Sequence, residues 1–115
     1  MAGSFIEEEL AIQAARNVKL IETIEQHGGD LAETRPIDFF FYTASESEAR
    51  ALAIDLEDAG FDSTHVSEEE IEGKWSVQAI RMDTVTRVTD PAFVEQLVRM
   101  CVKYLAEFDG WGTAI

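Results

Sequence analysis

Phe108-Asp109-Gly110-Trp111-Gly112-Thr113 closes a long apolar pattern, and how this run is placed decides the fold. Two glycines flank a tryptophan and remove the side chains that would block a tight backbone path. Trp111 supplies a large apolar body with a single N–H that needs a partner. A segment of this kind is expected to be pinned onto the domain, although chain ends commonly fray.

The pattern before it reads outward from that point. Asp90-Pro91 is expected to open the last helix, with Asp90 as cap and the proline in the first turn. Val94, Leu97, Val98, Cys101, Leu105 and Phe108 form its apolar stripe. Residues 74–84 read as a strand, with Trp75, Val77 and Ala79 on one side and Ser76, Gln78 and Ile80 on the other. Residues 67–73, with Glu68, Glu69, Glu70 and Glu72 beside Gly73, read as a hairpin loop. A strand over 61–66 precedes it.

Further upstream, Ser45 to Glu48 has the spacing of a capping box, and so does Thr43 to Glu46. The helix that follows is expected to run to Ala59, bury Ala49, Leu52, Ala53 and Leu56, and stop at Gly60. Pro36 opens a strand over 37–42, a place where its missing N–H does little harm. Ile37, Phe39 and Phe41 point one way, and Asp38, Phe40 and Tyr42 the other. Aromatics on both sides mean that both faces are partly covered, or that one of them binds something. Residues 5–26 read as a first helix with Ile6, Leu10, Ala14, Val18 and Ile21 in its stripe, widened by Ile12, Leu20 and Ile24. His27-Gly28-Gly29 ends it.

The order is a helix, then β-α-β-β-α, then the glycine–tryptophan run. Two helices on one side of an antiparallel sheet satisfy it. The predicted class is an α+β, ferredoxin-like two-layer sandwich. It is one domain over 1–115, with an N-terminal helix at 5–27 and a core at 36–115. The first strand would lie beside the third. Residues 112–115 are the remaining candidate for a fourth strand covering its other edge, and the first helix is expected over the sheet's open face.

Nine basic residues against 23 acidic ones give a net charge of −14. Nucleic acid and anionic membranes need Lys/Arg patches and are disfavoured as direct partners. A basic protein, approached by electrostatic steering, fits; plain solubility is the simpler use of the same charge. No apolar run approaches the length of a membrane span. Met1-Ala2-Gly3-Ser4 does not begin a secretory signal. A single cysteine makes no internal disulfide, which suits a reducing cytoplasm.

Catalytic patterns are not apparent. His27 and His65 lack ligands at metal-binding spacing, and Cys101 sits on an apolar stripe as an inert core thiol. No glycine-rich loop joins a strand to a helix. No cofactor is expected.

The run at 108–113 resembles the Tyr-Asp-Gly-Trp-Gly-Thr motif of the regulator of ribonuclease E activity B family. The resemblance extends through Ile37 to Val66, including Gly60-Phe61 where members have Gly-Tyr, and spans most of residues 31–113. Its specific part is Asp109, Gly110, Trp111 and Gly112, whose first role is expected to be structural. The first strand differs in being rich in phenylalanine. The resemblance implies a ferredoxin-like fold and a non-enzymatic protein that binds ribonuclease E, or a protein associated with it, and lowers RNA processing. Charge alone nominates Asp55, Asp58, Glu68, Glu69, Glu70 and Glu72 as contacts for such a partner. The alternative is a homodimer or small-molecule module using Phe40, Tyr42 and Trp75 on an open sheet face.

Overall fold

A computed structural model describes residues 2–68 and 73–113. Its elements are α1 (Ala2–Gln26), β1 (Arg35–Thr43), α2 (Glu46–Asp58), β2 (Ser63–Glu68), β3 (Trp75–Asp83), α3 (Val85–Val88), α4 (Pro91–Lys103) and β4 (Glu107–Gly112). The strands form one antiparallel sheet in the order β2-β3-β1-β4, the ferredoxin-like arrangement. β1 therefore lies between β3 and β4, as its apolar sequence demands.

The alternation in β1 sets the two faces. Ile37, Phe39 and Phe41 are completely buried on the helix side. Leu52 and Leu56 from α2, Leu97 and Cys101 from α4, and Ile24 from α1 join them in one core. The aromatic rings interlock: Phe39 meets Phe61 edge-on at 5.1 Å, and Phe41 stacks on Phe108 at 5.0 Å. Such pairs contribute about 1 kcal/mol each beyond the area they bury.

The opposite face stays open, with Phe40 36% and Met82 52% exposed. The expectation that α1 covers it is not met. Ile6 and Leu10 of α1 pack with Val94 and Val98 of α4, and Leu20, Ile21 and Ile24 pack into the common core, so α1 joins the helical layer. The cause lies in which residues form its inner stripe. Ile6, Leu10, Gln13, Asn17, Leu20 and Ile24 face inward, whereas Ala14 and Val18 are exposed. Steps of four and three along a helix keep residues on one side, and here that side includes two amides.

Three helices end in the same hydrogen-bond motif. After α1, Gly29 N donates to Ile24 O and Gly28 N to Glu25 O. After α2, Phe61 N donates to Leu56 O and Gly60 N to Glu57 O. After α4, Ala106 N donates to Cys101 O and Leu105 N to Val102 O. The residue at the left-handed position is glycine twice, with φ of 76° and 104°, and then Leu105 at 53°. Leu105 thus stops α4 where the hydropathy stripe would carry it on to Phe108. β4 consequently starts at Glu107 rather than at 112, and residues 114 and 115 lie outside the described part.

The strand expected over 61–66 occupies Ser63–Glu68, because Phe61 is used up in closing α2. The short α3 was not anticipated; Thr84 caps it, accepting from Arg87 N at 3.1 Å. Among the described residues no helix is long and apolar enough to cross a membrane.

Ser45, not Thr43, caps α2: its Oγ accepts from Glu48 N at 3.3 Å and donates to Glu48 Oε1 at 2.9 Å. Thr43 is buried and donates to Ser45 O, holding the turn instead. Ser45→Ala is expected to lower unfolding free energy by about 1 kcal/mol in a urea titration. Leu105→Gly should raise it by about 0.5–1 kcal/mol. The left-handed strain disappears, glycine's unfolded-state entropy offsets part of the gain, and a side chain 79% exposed loses little burial.

Candidate functional site

The glycine–tryptophan run is built into β4 by a bulge. Phe40 is opposite Gly110 and Phe41 is opposite Phe108, which leaves Asp109 as the extra, exposed residue. In a regular strand, residues three apart face opposite sides. The bulge turns both Phe108 and Trp111 toward the helices, where each is 6% exposed. Gly110 adopts φ 123°, a region closed to most side chains. Gly112 has no such φ, and a Cβ there would meet nothing within 4 Å.

α1 holds this strand in place. Trp111 Nε1 donates to Asn17 Oδ1 at 2.7 Å, both groups being buried. Gln13 Nε2 donates to Phe108 O at 3.3 Å and to Glu9 Oε1 at 3.1 Å. Arg16 reaches the same Phe108 carbonyl at 3.4 Å. Thr113 Oγ1 donates to Pro36 O at 2.8 Å. The run is therefore pinned from both sides, and its indole N–H, an obligatory donor once buried, is satisfied by a residue 94 positions away. Asn17 and Gln13 escaped the hydropathy pattern because they are polar. Their spacing with Leu10 and Leu20 was the available signal.

The acidic candidates do not form one cluster. Asp55 accepts from Tyr104 Oη at 2.5 Å and from Lys103 Nζ at 3.2 Å. The tyrosine hydroxyl first, and Lys103 after it, hold its carboxyl below the ordinary value of 3.8 against the opposing effect of burial. Lys103 is raised in turn, by Tyr104 first and by Asp55. Asp58 is exposed near the end of α2. Its neighbour Glu57 accepts from Thr64 Oγ1 at 3.0 Å, which places this end of the helix beside the start of β2. Glu68 lies four residues further along β2, roughly 13 Å away at ordinary strand rise. Glu69, Glu70 and Glu72 lie outside the described residues.

Cys101 is buried between α4 and the sheet, and desolvation, aided by the charge of Glu9, pushes its thiol up to about 12. His27 Nδ1 sits 2.8 Å from Thr23 O at the end of α1. Among the described residues no three His, Cys, Asp or Glu side chains come together as a metal site.

Two of the grooves that border α1 also touch α4. One, of about 300 Å³, runs between Glu9, Arg16, Cys101 and Phe108. Another, of about 490 Å³, lies between Leu10, Ala14, Pro91 and Val94 and is mainly apolar.

The two glycines should respond differently to substitution. Gly110→Ala is expected to cost upwards of about 1 kcal/mol from backbone strain alone, since a Cβ there meets nothing within 4 Å. Gly112→Ala should fall within about 0.5 kcal/mol of wild type. Trp111→Phe leaves Asn17 Oδ1 buried without its donor and should cost about 2 kcal/mol in the same urea titration. Tyr104→Phe tests the Asp55 contact through pH. A depressed carboxylate stabilises the fold above its unfolded value and loses that contribution as pH falls through the folded value. The stability gap between wild type and Tyr104→Phe should therefore close below pH 3.8.

A family model described as regulator of ribonuclease activity B matches residues 14–113. The match includes Asn17 and all of β4. No curated protein matches the chain.

Proposed function

The chain belongs to the regulator of ribonuclease activity B family, and from that premise we propose that it is a non-enzymatic inhibitor acting by protein–protein contact. Its target would be a ribonuclease of the ribonuclease E type, or a protein bound to it. The partner surface would be basic.

The observation that supports this reading most directly is the fate of the basic side chains. Among the described residues, seven of the nine already sit within ion-pair distance of a carboxylate of their own chain: Arg35, Arg50, Lys74, Arg81, Arg87, Arg99 and Lys103. Arg81 is well enclosed, wedged against the rings of Phe61 and Phe93 while it pairs with Asp83 at 2.6 Å. Little positive charge is left for phosphates, and 23 acids against nine bases leave an uncompensated negative exterior. Such a surface repels RNA and steers toward a cationic segment of another protein. Asp58 and Glu68 are exposed and suited to that contact. Asp55 is already engaged by Lys103 and Tyr104 and would contribute less. Asp109, Gly110 and Trp111 serve the fold that presents these groups, whereas Gly112 has room for a side chain.

A second reading draws on the open sheet face, where Phe40 and Met82 are exposed. Two copies could bury that face as a homodimer. Trp75 does not belong to it, for its register partners are Thr43 and Glu68 on the helix side. Sedimentation equilibrium separates the two: a monomer at all concentrations removes the dimer.

RNA cleavage by purified ribonuclease E, followed with increasing amounts of this protein, tests the main reading. Cleavage should fall, and the inhibition constant should weaken by about tenfold or more between about 50 and about 300 mM salt as the screening length contracts. Unchanged cleavage at a large excess of protein and low salt refutes it.

A further inference from the structure

A four-stranded open sheet has two edges, each a row of backbone groups ready to pair with another chain. Here the two are treated differently. On β4 the Asp109 bulge breaks the row, and Gln13 and Arg16 of α1 occupy the Phe108 carbonyl. β2 has no bulge, and the side-chain contact to its main chain comes from the neighbouring strand, Ser76 Oγ to Ser67 O at 3.5 Å. Its register with β3 runs unbroken from Ser63 opposite Ile80 to Glu68 opposite Trp75. Its sequence, Ser-Thr-His-Val-Ser-Glu, has no proline, lysine or arginine. Ser63, His65 and Glu68 are exposed, and Thr64, Val66 and Ser67 are half-exposed. Among the described residues, no backbone–backbone hydrogen bond outside the β2–β3 ladder involves residues 63–68.

What surrounds this edge is negative. Glu57 touches Thr64 from below, Asp58 follows it, Asp62 stands at one end, accepting from Met82 N, and Glu68 at the other. Arg81, the cation on the neighbouring strand, is committed to Asp83 and to Ala59 O. A second copy of this chain would bring the same carboxylates and another −14 of charge to the same place. Like charges facing each other disfavour that pairing. A cationic strand meets no such opposition.

We propose that the β2 edge accepts an extended, basic segment of a partner protein as a fifth strand. This rests on the reading of the protein as a binder of a basic partner and names where and how that partner is held. Main-chain hydrogen bonds to residues 63–68 supply the adhesion, and the flanking carboxylates supply the selection. Alternate side chains of the added strand fall on two faces. Those on the helix side come level with Thr64, Val66 and Glu68, where Lys or Arg meets Glu57 and Glu68. Those on the other side come level with Ser63, His65 and Ser67 on the open face and need carry no charge.

The probe is a synthetic peptide of alternating arginine and valine, with the same composition in glutamate and valine as control. Binding is followed by amide hydrogen exchange. The arginine peptide should slow exchange within residues 63–68 by about tenfold or more, and its affinity should fall by about tenfold between about 50 and about 300 mM salt. The glutamate peptide should have no effect. Proline is then placed at His65 and, separately, at Val66. Adjacent strand residues aim their N–H groups in opposite directions, so one of the two variants loses only an outward donor and is expected to fold. That variant should bind the arginine peptide at least about tenfold more weakly. If neither folds, His65→Lys, which adds a cation to the exposed edge, should weaken binding by about threefold or more.

Protection that maps to another surface, full binding by the folded proline variant, or no binding of the arginine peptide at low salt overturns the proposal. So does self-association through residues 63–68. Ribonuclease inhibition separates this failure from a failure of function. A folded edge variant that still inhibits removes the edge and keeps the inhibitor, whereas a wild-type protein that never inhibits removes the functional reading itself.

Discussion

The hydrogen bond from the Trp111 indole to the Asn17 amide, 2.7 Å long and buried, is the constraint on which the arrangement turns. An indole N–H removed from water without a partner costs on the order of 1–3 kcal/mol. Asn17 meets that need only if α1 lies along β4, and α1 can lie there only if β4 is pinned to β1. The bulge at Asp109 makes this geometry available, because it turns Phe108 and Trp111 to the same side. Gln13 then completes the contact through the Phe108 carbonyl. A six-residue strand with two glycines would be a poor sheet member alone; it is held because Gln13, Arg16 and Asn17 bind it from α1 while β1 pairs with it.

Much of this was readable from residue type and spacing. Pro36 and the alternating apolar residues after it marked the central strand. The spacing of three from Ser45 to Glu48 marked a helix start, and Gly60 a stop. The alternation from Trp75 to Ile80 marked its neighbour. Trp111 between two glycines marked a segment with too much apolar area to leave in water. Where the reading failed, it failed for identifiable reasons. Gln13 and Asn17 are buried because they have specific partners, and a hydropathy pattern scores them as surface. It therefore chose Ala14 and Val18 and turned the helix by part of a turn, while α1 was set over the open face of the sheet on topology alone. Leu105 ends α4 in a conformation normally reserved for glycine, so nothing in its chemistry announced a stop. The acidic residues were visible as a sum of charge, but their distribution was not: Asp55 has its own partners, and Asp58 and Glu68 lie at opposite ends of β2 and its helix.

The electrostatics follow from how few cations the chain has. Arg81 and Arg87 share Asp83, Arg50 and Arg99 pair within their own helices, and Lys103 bridges to α2. Pairs exposed to water contribute only tenths of a kcal/mol, so their larger effect is on appearance to other molecules. The outside presents carboxylates almost without relief. That property discriminates against polyanions at long range, where shape has no influence, and leaves short-range recognition to backbone groups and side-chain register.

The contact between Asn17 and Trp111 joins residues 94 positions apart, and this has a bearing on biosynthesis. The first helix leaves the ribosome long before its binding strand exists, so throughout elongation it has no native partner and its amides remain hydrated. The central strand, equally, keeps one flank open until Glu107–Gly112 has been made. Structure can accumulate locally in the meantime, but closure waits for that strand, since contacts between distant segments are entropically late. A chain interrupted before β4 would therefore have an unfinished sheet, a ready substrate for quality-control proteases.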